Sequence, residues 1–235
     1  KVSIWNLNDQ HLAILNKDDC ILTLKAGYGE TMPLIFTGVV TYATTSLDGA
    51  DRCTEIELVD NRIEIRDTYV SLSYSGSVST KKLIQDTADQ MGVTVTFSYN
   101  ATFSNLPNGF SYVGLAKNVL TKACNSSGLA WSIQNGILQV KKPGDVMSKE
   151  VYLLSADTGL IGIPKRVLIS GDEGTSAAQH GWDIEYLMNA AINVDDYVRL
   201  ESKIVTGYFR VYSVEIEGDT AGGTWQCTAR LLEVS

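Results

Sequence analysis

The chain has 235 residues, of which 44% are hydrophobic, and its 27 acidic and 19 basic side chains give a formal net charge of −8. The hydrophobic fraction is sufficient for folded cores, and the acidic balance argues against a basic groove that grips nucleic acid. No window approaches 18 consecutive apolar residues, so no membrane-spanning helix is predicted.

The N-terminal third of the chain is predicted to form β-strands. Its apolar and β-branched positions alternate with polar ones, which is the pattern of half-buried strands. Clusters of glycine, aspartate and asparagine separate these runs and predict turns. The predicted strands cover residues 20–26, 34–42, 54–59, 61–66 and 69–74.

The pattern changes to a helical period at Ser79. Ser79 or Thr80 can cap a helix, because the side-chain oxygen accepts a free N–H of the first turn. Gly92 is the predicted stop, since glycine readily adopts the left-handed conformation that ends a helix. The predicted buried face of this helix comprises Leu83, Ile84, Thr87, Ala88 and Met91.

A second helix is predicted over residues 115–127, with Gly128 as its stop. A strand at 93–97 precedes it, and Asn135-Gly136 after it predicts a hairpin because both residues tolerate positive φ. Residues 78–142 are therefore predicted to place two helices on a small sheet in the order α-β-α-β-β. The buried face of the second helix is predicted to comprise Leu115, Ala116, Val119, Leu120, Ala123 and Cys124.

The remainder of the chain is again predicted to be β, after a linker at 142–145. Between its strands, residues 171–181 form a predicted soft loop. The fold class is thus mainly β with an α+β insert, divided into residues 1–76, 77–145 and 146–235. The predicted strands of the last segment cover 151–154, 166–169, 182–187, 197–201, 208–216 and 224–232.

The two β segments resemble each other in sequence, which predicts a duplicated domain. The matches keep their order, and small changes in hairpin length account for their drifting offsets. Two similar domains in one chain give pseudo-symmetric surfaces, so three chains can imitate a six-fold ring. The matched blocks are 3–7 with 183–187, 15–24 with 192–201, 36–40 with 205–209, and 53–58 with 227–232.

Residues suited to metal or cofactor chemistry are scarce. The only histidines are His11 and His180, and the cysteines show no C-x-x-C pair, so we predict no metal site, no cofactor and no disulfide framework. The four cysteines are predicted to be half-buried free thiols in a reducing compartment. They are Cys20, Cys53, Cys124 and Cys227.

Two acidic motifs could suggest hydrolysis. Asp157-Thr-Gly159 matches the D-T-G of aspartic proteases, which need two such aspartates, and a structural turn is the favoured interpretation of the single copy here. Adjacent carboxylates on a strand point to opposite faces, so a turn role is favoured for the acidic pairs as well. These pairs are Asp18-Asp19, Asp195-Asp196 and Asp172-Glu173.

Several longer motifs occur in order along most of the chain. The motif T-G-L-I-G-x-P ends at Pro164 and is followed by the predicted soft loop. The other motifs are L-x-A-G-Y at 24–28, I-F-x-G at 35–38, D-x-V-x-L-E-S at 196–202, G-Y-F-R-V-Y at 207–212 and G-D-x-x-G-x-x-W at 218–225. The ordered set resembles phage baseplate hub proteins, the tail hub and late-control-D-like family that includes Mu-type and prophage tail proteins.

The resemblance implies two tube-like β-barrels that flank the α/β insert. It further implies a homotrimer between tail tube protein and spike or tail-tip protein, located in the virion tail after assembly in the host cytoplasm. Genomic DNA would pass without specific binding, and no membrane contact or catalysis is implied. Since such hubs are longer and Lys1 would start inside the first barrel, we expect N-terminal strands to be missing.

The candidate site residues are therefore structural or interface positions at strand starts and turns. The net negative charge would suit a lumen that repels DNA phosphates. Two other functions stay open from the sequence: a β-rich hydrolase with paired carboxylates, and a β-barrel adhesin or carbohydrate-binding module. The candidate residues are Asp18, Asp19, Gly38, Asp157, Gly159, Asp195, Asp196 and Gly207.

Overall fold

The computed structural model describes residues 1–60, 67–169 and 178–233. The predicted strand at 61–66 and most of the predicted soft loop at 171–181 lie outside the described residues. No helix of the described part is long and apolar enough to cross a membrane.

The N-terminal segment forms a four-stranded antiparallel sheet with one helix. The strand order is β1-β4-β3-β2, so each strand pairs with a neighbour of opposite direction. The elements are β1 (Val2–Trp5), α1 (Asp9–Leu15), β2 (Ile21–Lys25), β3 (Leu34–Asp48) and β4 (Asp51–Val59).

Helix α1 was not predicted, because the whole N-terminal third was assigned to strands. The Asn8 side chain caps the helix by accepting the backbone N–H of His11 at 2.8 Å. The helix has no buried residue, so its short sequence carries no amphipathic face from which it could be recognised.

The middle segment contains two helices that pack on short strands. The hairpin β10–β11 and the parallel pair β11–β7 form one sheet, whereas β5–β9 and β6–β8 form separate ribbons. The elements are β5 (Tyr69–Tyr74), β6 (Val78–Ser79), α2 (Thr80–Met91), β7 (Thr94–Phe97), β8 (Asn105–Leu106), β9 (Phe110–Leu115), α3 (Ala116–Ser126), β10 (Ala130–Gln134) and β11 (Ile137–Lys141).

The predicted cap, helix stop and hairpin turn of this segment are present in the structure. The Ser79 side chain accepts the N–H of Lys82, and Gly92 ends α2 in the left-handed region with φ 71°. Asn135 and Gly136 have φ values of 50° and 75°, as the two-residue hairpin requires. The predicted faces of both helices are buried except for Leu115, which is half-buried.

The core of the middle segment extends beyond its predicted boundary. Val70 and Leu72 of β5 are 2% and 5% exposed and belong to the same apolar cluster as both helices. Strand β5 thus packs with the α/β segment, although it precedes the predicted start of that segment at residue 77. The other buried members are Val78, Leu83, Ile84, Ala88, Met91, Ala116, Val119, Leu120, Ala123, Cys124, Leu129, Ile133, Leu138 and Val140.

The C-terminal segment forms a six-stranded sheet in the order β12-β15-β16-β17-β14-β13. A second apolar cluster lies on its inward face and includes Tyr186, Val198 and Leu231. The mainly β fold with an α+β part is confirmed, whereas the hydrogen bonds of the described strands close no barrel. The elements are β12 (Val151–Leu154), a 3₁₀ turn (Ala156–Thr158), β13 (Leu160–Ile169), β14 (Gln179–Leu187), β15 (Tyr197–Glu201), β16 (Thr206–Gly218) and β17 (Trp225–Glu233).

The duplication predicted from the sequence corresponds to a repeat of strand order. Strands β1-β4-β3-β2 occur in the same spatial and chain order as β14-β17-β16-β15. Both copies carry a β-bulge in the long third strand, between Val40 and Tyr42 in one and between Val211 and Ser213 in the other. The C-terminal sheet adds β12 and β13 at its two edges.

The structure corrects the register of the repeat. The N–H of Val40 donates to the Cys20 carbonyl at 2.8 Å, and the N–H of Val211 donates equivalently to Asp196 at 3.0 Å. This equivalence pairs Thr54 with Cys227, both buried, instead of the sequence match of Cys53 with Cys227. A shift of one residue turns every side chain to the other face of a sheet, so Cys53 and Cys227 face opposite sides.

The two candidate glycines Gly38 and Gly207 are not equivalent in this register. Gly38 corresponds to Phe209, and Phe36 corresponds to Gly207, so the two copies hold one phenylalanine and one glycine in exchanged order. A Cβ on Gly38 would lie 2.4 Å from the Val59 carbonyl oxygen. A Cβ on Gly207 would meet only the Phe209 ring, at 3.2 Å.

A buried ion cluster joins the middle and C-terminal segments. Lys141 Nζ at the end of β11 and an Arg210 guanidinium nitrogen on β16 each lie 2.7 Å from Asp195 Oδ1. The three side chains are only 9–19% exposed. Burial, opposed by the contact with Asp195, leaves the pKa of Lys141 below its usual value.

The predicted linker at 142–145 is an ordered turn that supports this cluster. Asp145 donates its N–H to the Lys142 carbonyl and accepts from Lys141 Nζ at 2.9 Å through its own carbonyl. The Asn100 side chain donates to the Asp145 carboxylate and thereby lowers the pKa of that group. Val146 is only 2% exposed, so the chain stays packed as it enters the C-terminal segment.

Gly38→Ala is expected to destabilise the protein by about 1–3 kcal/mol, because the added methyl overlaps a main-chain oxygen that cannot rotate away. Gly207→Ala is the matched control and should change stability by less than about 0.5 kcal/mol, since its methyl meets an aromatic ring that can adjust. Urea unfolding of both variants measures the difference. Equal effects would contradict the close approach at Gly38.

Asp195→Asn is expected to cost about 3 kcal/mol of unfolding free energy, because it leaves two buried cations without a carboxylate. Asp19→Asn removes the exposed counterpart in the first copy and should cost less than about 0.5 kcal/mol. Asparagine tolerates the left-handed backbone at both positions, so the comparison isolates the charge. Similar midpoints of the two variants in urea would refute the stabilising role of the cluster.

Candidate functional site

Side chains suited to metal binding are not clustered in the part of the chain that the structure describes. Within the described ranges, no set of three or more His, Cys, Asp or Glu residues could hold a metal ion. All four cysteines are free, and burial raises the pKa of Cys124 to about 12, so this thiol stays protonated at neutral pH.

The D-T-G motif forms a turn that leads into a strand. Ser155 donates its N–H to Thr158 Oγ1 at 2.8 Å, and Gly159 continues the turn with φ 106° just before β13 begins at Leu160. Asp157 is exposed on this turn. The motif therefore acts as the structural turn that the sequence analysis favoured.

The acidic pairs occupy equivalent turns in the two β segments. Asp19 and Asp195 both have a left-handed backbone, with φ values of 57° and 73°, and precede β2 and β15. Asp195 is buried in the ion cluster, whereas Asp18 and Asp19 are exposed. Asp196 accepts the N–H of Asn193 at 2.8 Å, and burial raises the pKa of this carboxyl.

An open cleft of about 560 Å³ lies beside the first acidic pair. It is lined by residues 15–19, which connect α1 to β2, and by residues 39–43 around the bulge of β3. In the described part of the chain, neither Asp18 nor Asp19 makes an ion pair. The cleft thus presents two unpaired carboxylates next to a gap between secondary-structure elements.

The outward face of the N-terminal sheet carries four exposed large apolar side chains beside the acidic Glu55 and Glu57. Thr54 and Ile56 are buried, so Cys53, Glu57 and Val59 face the other side together with the residues paired to them. An exposed surface of this composition is typical of an interaction site. Its large apolar side chains are Trp5, Ile21, Tyr42 and Val59, which are 51–64% exposed.

Charge is unevenly distributed along the chain. Residues 77–145 carry six lysines and three aspartates, a net charge of +3. Residues 1–76 carry −5 and residues 146–235 carry −6. The two β segments are therefore acidic, while the α/β segment between them is basic, a separation that total composition conceals.

Comparison with solved structures shows the same fold in tail proteins. The chain matches a tail protein from Neisseria meningitidis MC58 with a TM-score of 0.54 and 12% identity, over 85% of this chain and 80% of that one. It matches the 43 kDa tail protein of prophage MuSo2 from Shewanella oneidensis with a TM-score of 0.54 and 11% identity, over 91% and 87%.

A third match is the E. coli c3393 protein, a type VI secretion system component with structural similarity to the T4 bacteriophage tail proteins gp27 and gp5. Its TM-score is 0.58 at 8% identity, and the match covers 91% of this chain and 63% of that one. A search of curated protein sequences found no match.

The family comparison extends over nearly the whole chain. The profile of the family described as Baseplate hub gp41 matches residues 1–216. The resemblance to baseplate hub proteins seen in the sequence motifs is confirmed by this match and by the fold of the tail proteins. The chain therefore belongs to the baseplate hub gp41 family of phage tails.

Proposed function

We propose that the chain is a trimeric structural hub that joins the tail tube to the central spike, with a lumen through which DNA passes. The observation that carries this proposal is the repeated strand order of the two β segments. Three copies would present six similar sheets around one axis, which lets a three-fold assembly meet a six-fold ring. Each β segment would then complete a tube-like barrel within the assembly.

A structural role rather than catalysis agrees with the site geometry. The D-T-G motif is a turn, and the two acidic pairs lie in different β segments. Family membership supports a location in the virion tail. Partners of the hub would be its own copies, the tail tube protein and a spike or tail-tip protein.

Acidic side chains on the outward sheet faces support a lumen that repels DNA. Thr228 faces away from the C-terminal core, and Glu185 and Glu215 flank it on the neighbouring strands. Glu55 occupies the equivalent row of the N-terminal sheet, between Ser3 and Thr44. Carboxylates along such a row would keep DNA phosphates from binding as the genome slides past.

The trimer is tested by the mass of the protein in solution. Sedimentation velocity or mass photometry, with and without the tail tube protein, should show a species near three times the chain mass of 25.6 kDa. A chain that stays monomeric under both conditions, and that makes no tube or spike contact in a particle map, would refute the proposed hub.

The lumen is tested by reversing its charge. Replacing Glu55, Glu185 and Glu215 by lysine is expected to convert a trimer that ignores DNA into one that binds it at low salt, with affinity falling steeply as salt rises. The control carries lysine at three exposed acids on turns, Glu30, Asp157 and Asp219. Equal DNA retention by both variants in an electrophoretic mobility assay would place the proposed lumen elsewhere.

A further inference from the structure

The two copies of the β repeat differ in what their left-handed aspartate binds. In the C-terminal copy, Asp195 holds Lys141, which comes from the end of the α/β segment. This contact joins a basic segment to an acidic one. The C-terminal copy therefore shows that an aspartate at this turn can bind a lysine from another segment.

In the N-terminal copy, no cation of the described residues pairs with the aspartate at the equivalent turn. Asp19 has the same left-handed backbone and precedes the equivalent strand, and the carbonyl of the next residue accepts from the bulge strand in both copies. Val39 takes the place of Arg210, so the described strand β3 supplies no cation at this position. Asp19, the counterpart of the Lys141-binding Asp195, lines the open cleft together with Asp18.

The α/β segment carries two exposed lysines that have no carboxylate partner among the described residues. On the α/β segment, Lys81 lies over the rings of Phe97 and Phe103, and Lys122 lies over the ring of Phe110. Both lysines are exposed, and neither contacts a carboxylate in the described residues. Aromatic contact orients each ammonium group but leaves its charge without an anionic partner.

We propose that the cleft at Asp18 and Asp19 receives Lys81 or Lys122 from the α/β segment of a neighbouring copy. The first acidic turn would then bind a lysine between chains, as Asp195 binds Lys141 within one chain. This inference rests on the proposed self-assembly of the hub and names the contact that would hold adjacent copies together. Within one chain the α/β segment is already anchored to Asp195, so a second copy is the occupant that also complements the charge of the cleft.

Zero-length carbodiimide cross-linking tests the contact directly, because it joins only carboxylates and amines that already touch. An equal mixture of unlabelled and ¹⁵N-labelled full chains identifies cross-links between copies by mass spectrometry. The expected product joins the peptide with Asp18 or Asp19 to a peptide with Lys81 or Lys122, with mixed labels. A trimer that yields no such mixed product would overturn the inference and leave the proposed hub intact.

Charge reversal gives an independent measurement. Asp18→Lys with Asp19→Lys should weaken self-association by about tenfold or more, and adding Lys81→Glu with Lys122→Glu should restore it. Asp157→Lys, an exposed acid on another turn, is the control and should leave association unchanged. Unchanged association of the double lysine variant would refute the contact alone, whereas a wild-type chain that never self-associates would refute the hub as well.

Discussion

The contact of Asp195 with Lys141 and Arg210 fixes how the α/β segment and the C-terminal sheet are joined. A carboxylate on a side chain that is only 9% exposed needs its charge balanced, and here one cation comes from each of the two segments. The ion cluster therefore favours one arrangement of the segments, because displacing Lys141 would leave Asp195 with Arg210 alone. Apolar packing could hold the same surfaces together but would define their orientation less sharply.

The same turn shows how one repeated unit can serve two purposes. Both copies keep the left-handed aspartate and the bulge, which are features of the local backbone. The side chains around the turn differ, since Val39 stands in place of Arg210 and no described lysine pairs with Asp19. Backbone geometry thus conserves the site, while a few substitutions decide whether the site is filled from within the chain.

Helices and turns with a clear sequence pattern could be predicted, but the elements against which they pack could not. Helices α2 and α3 could be predicted because each has an apolar face and is closely followed by a glycine. The hairpin at Asn135-Gly136 could be predicted because both residues tolerate the positive φ values that its turn requires. Helix α1 was missed because it buries no side chain and has only the Asn8 cap as a signal. The place of β5 depended on packing between segments, which local pattern does not contain.

The repeat was predicted in its order and missed in its register for a physical reason. Letter matching aligned Cys53 with Cys227, although hydrogen bonds and burial align Thr54 with Cys227. A second error arose in the third strand of the repeat, where Phe36 is equivalent to Gly207 and Gly38 to Phe209. Both copies contain one phenylalanine and one glycine, so the sequence match paired Gly38 with Gly207, two residues from the true register. Whether a strand residue is buried depends on the face of the sheet to which its side chain points. An alignment of β repeats therefore has to match the buried faces as well as the residue types.

The proposed self-assembly would bring further apolar contacts to the N-terminal segment. The C-terminal sheet has six strands and a buried cluster that includes Leu200 and Leu231, each 0% exposed. The N-terminal sheet has four described strands, of which β1 and β2 pair with only one described neighbour each, and four large apolar side chains on its outward face. These side chains are already about half buried, so a neighbouring copy that covered the rest would add only part of the free energy of burying each one.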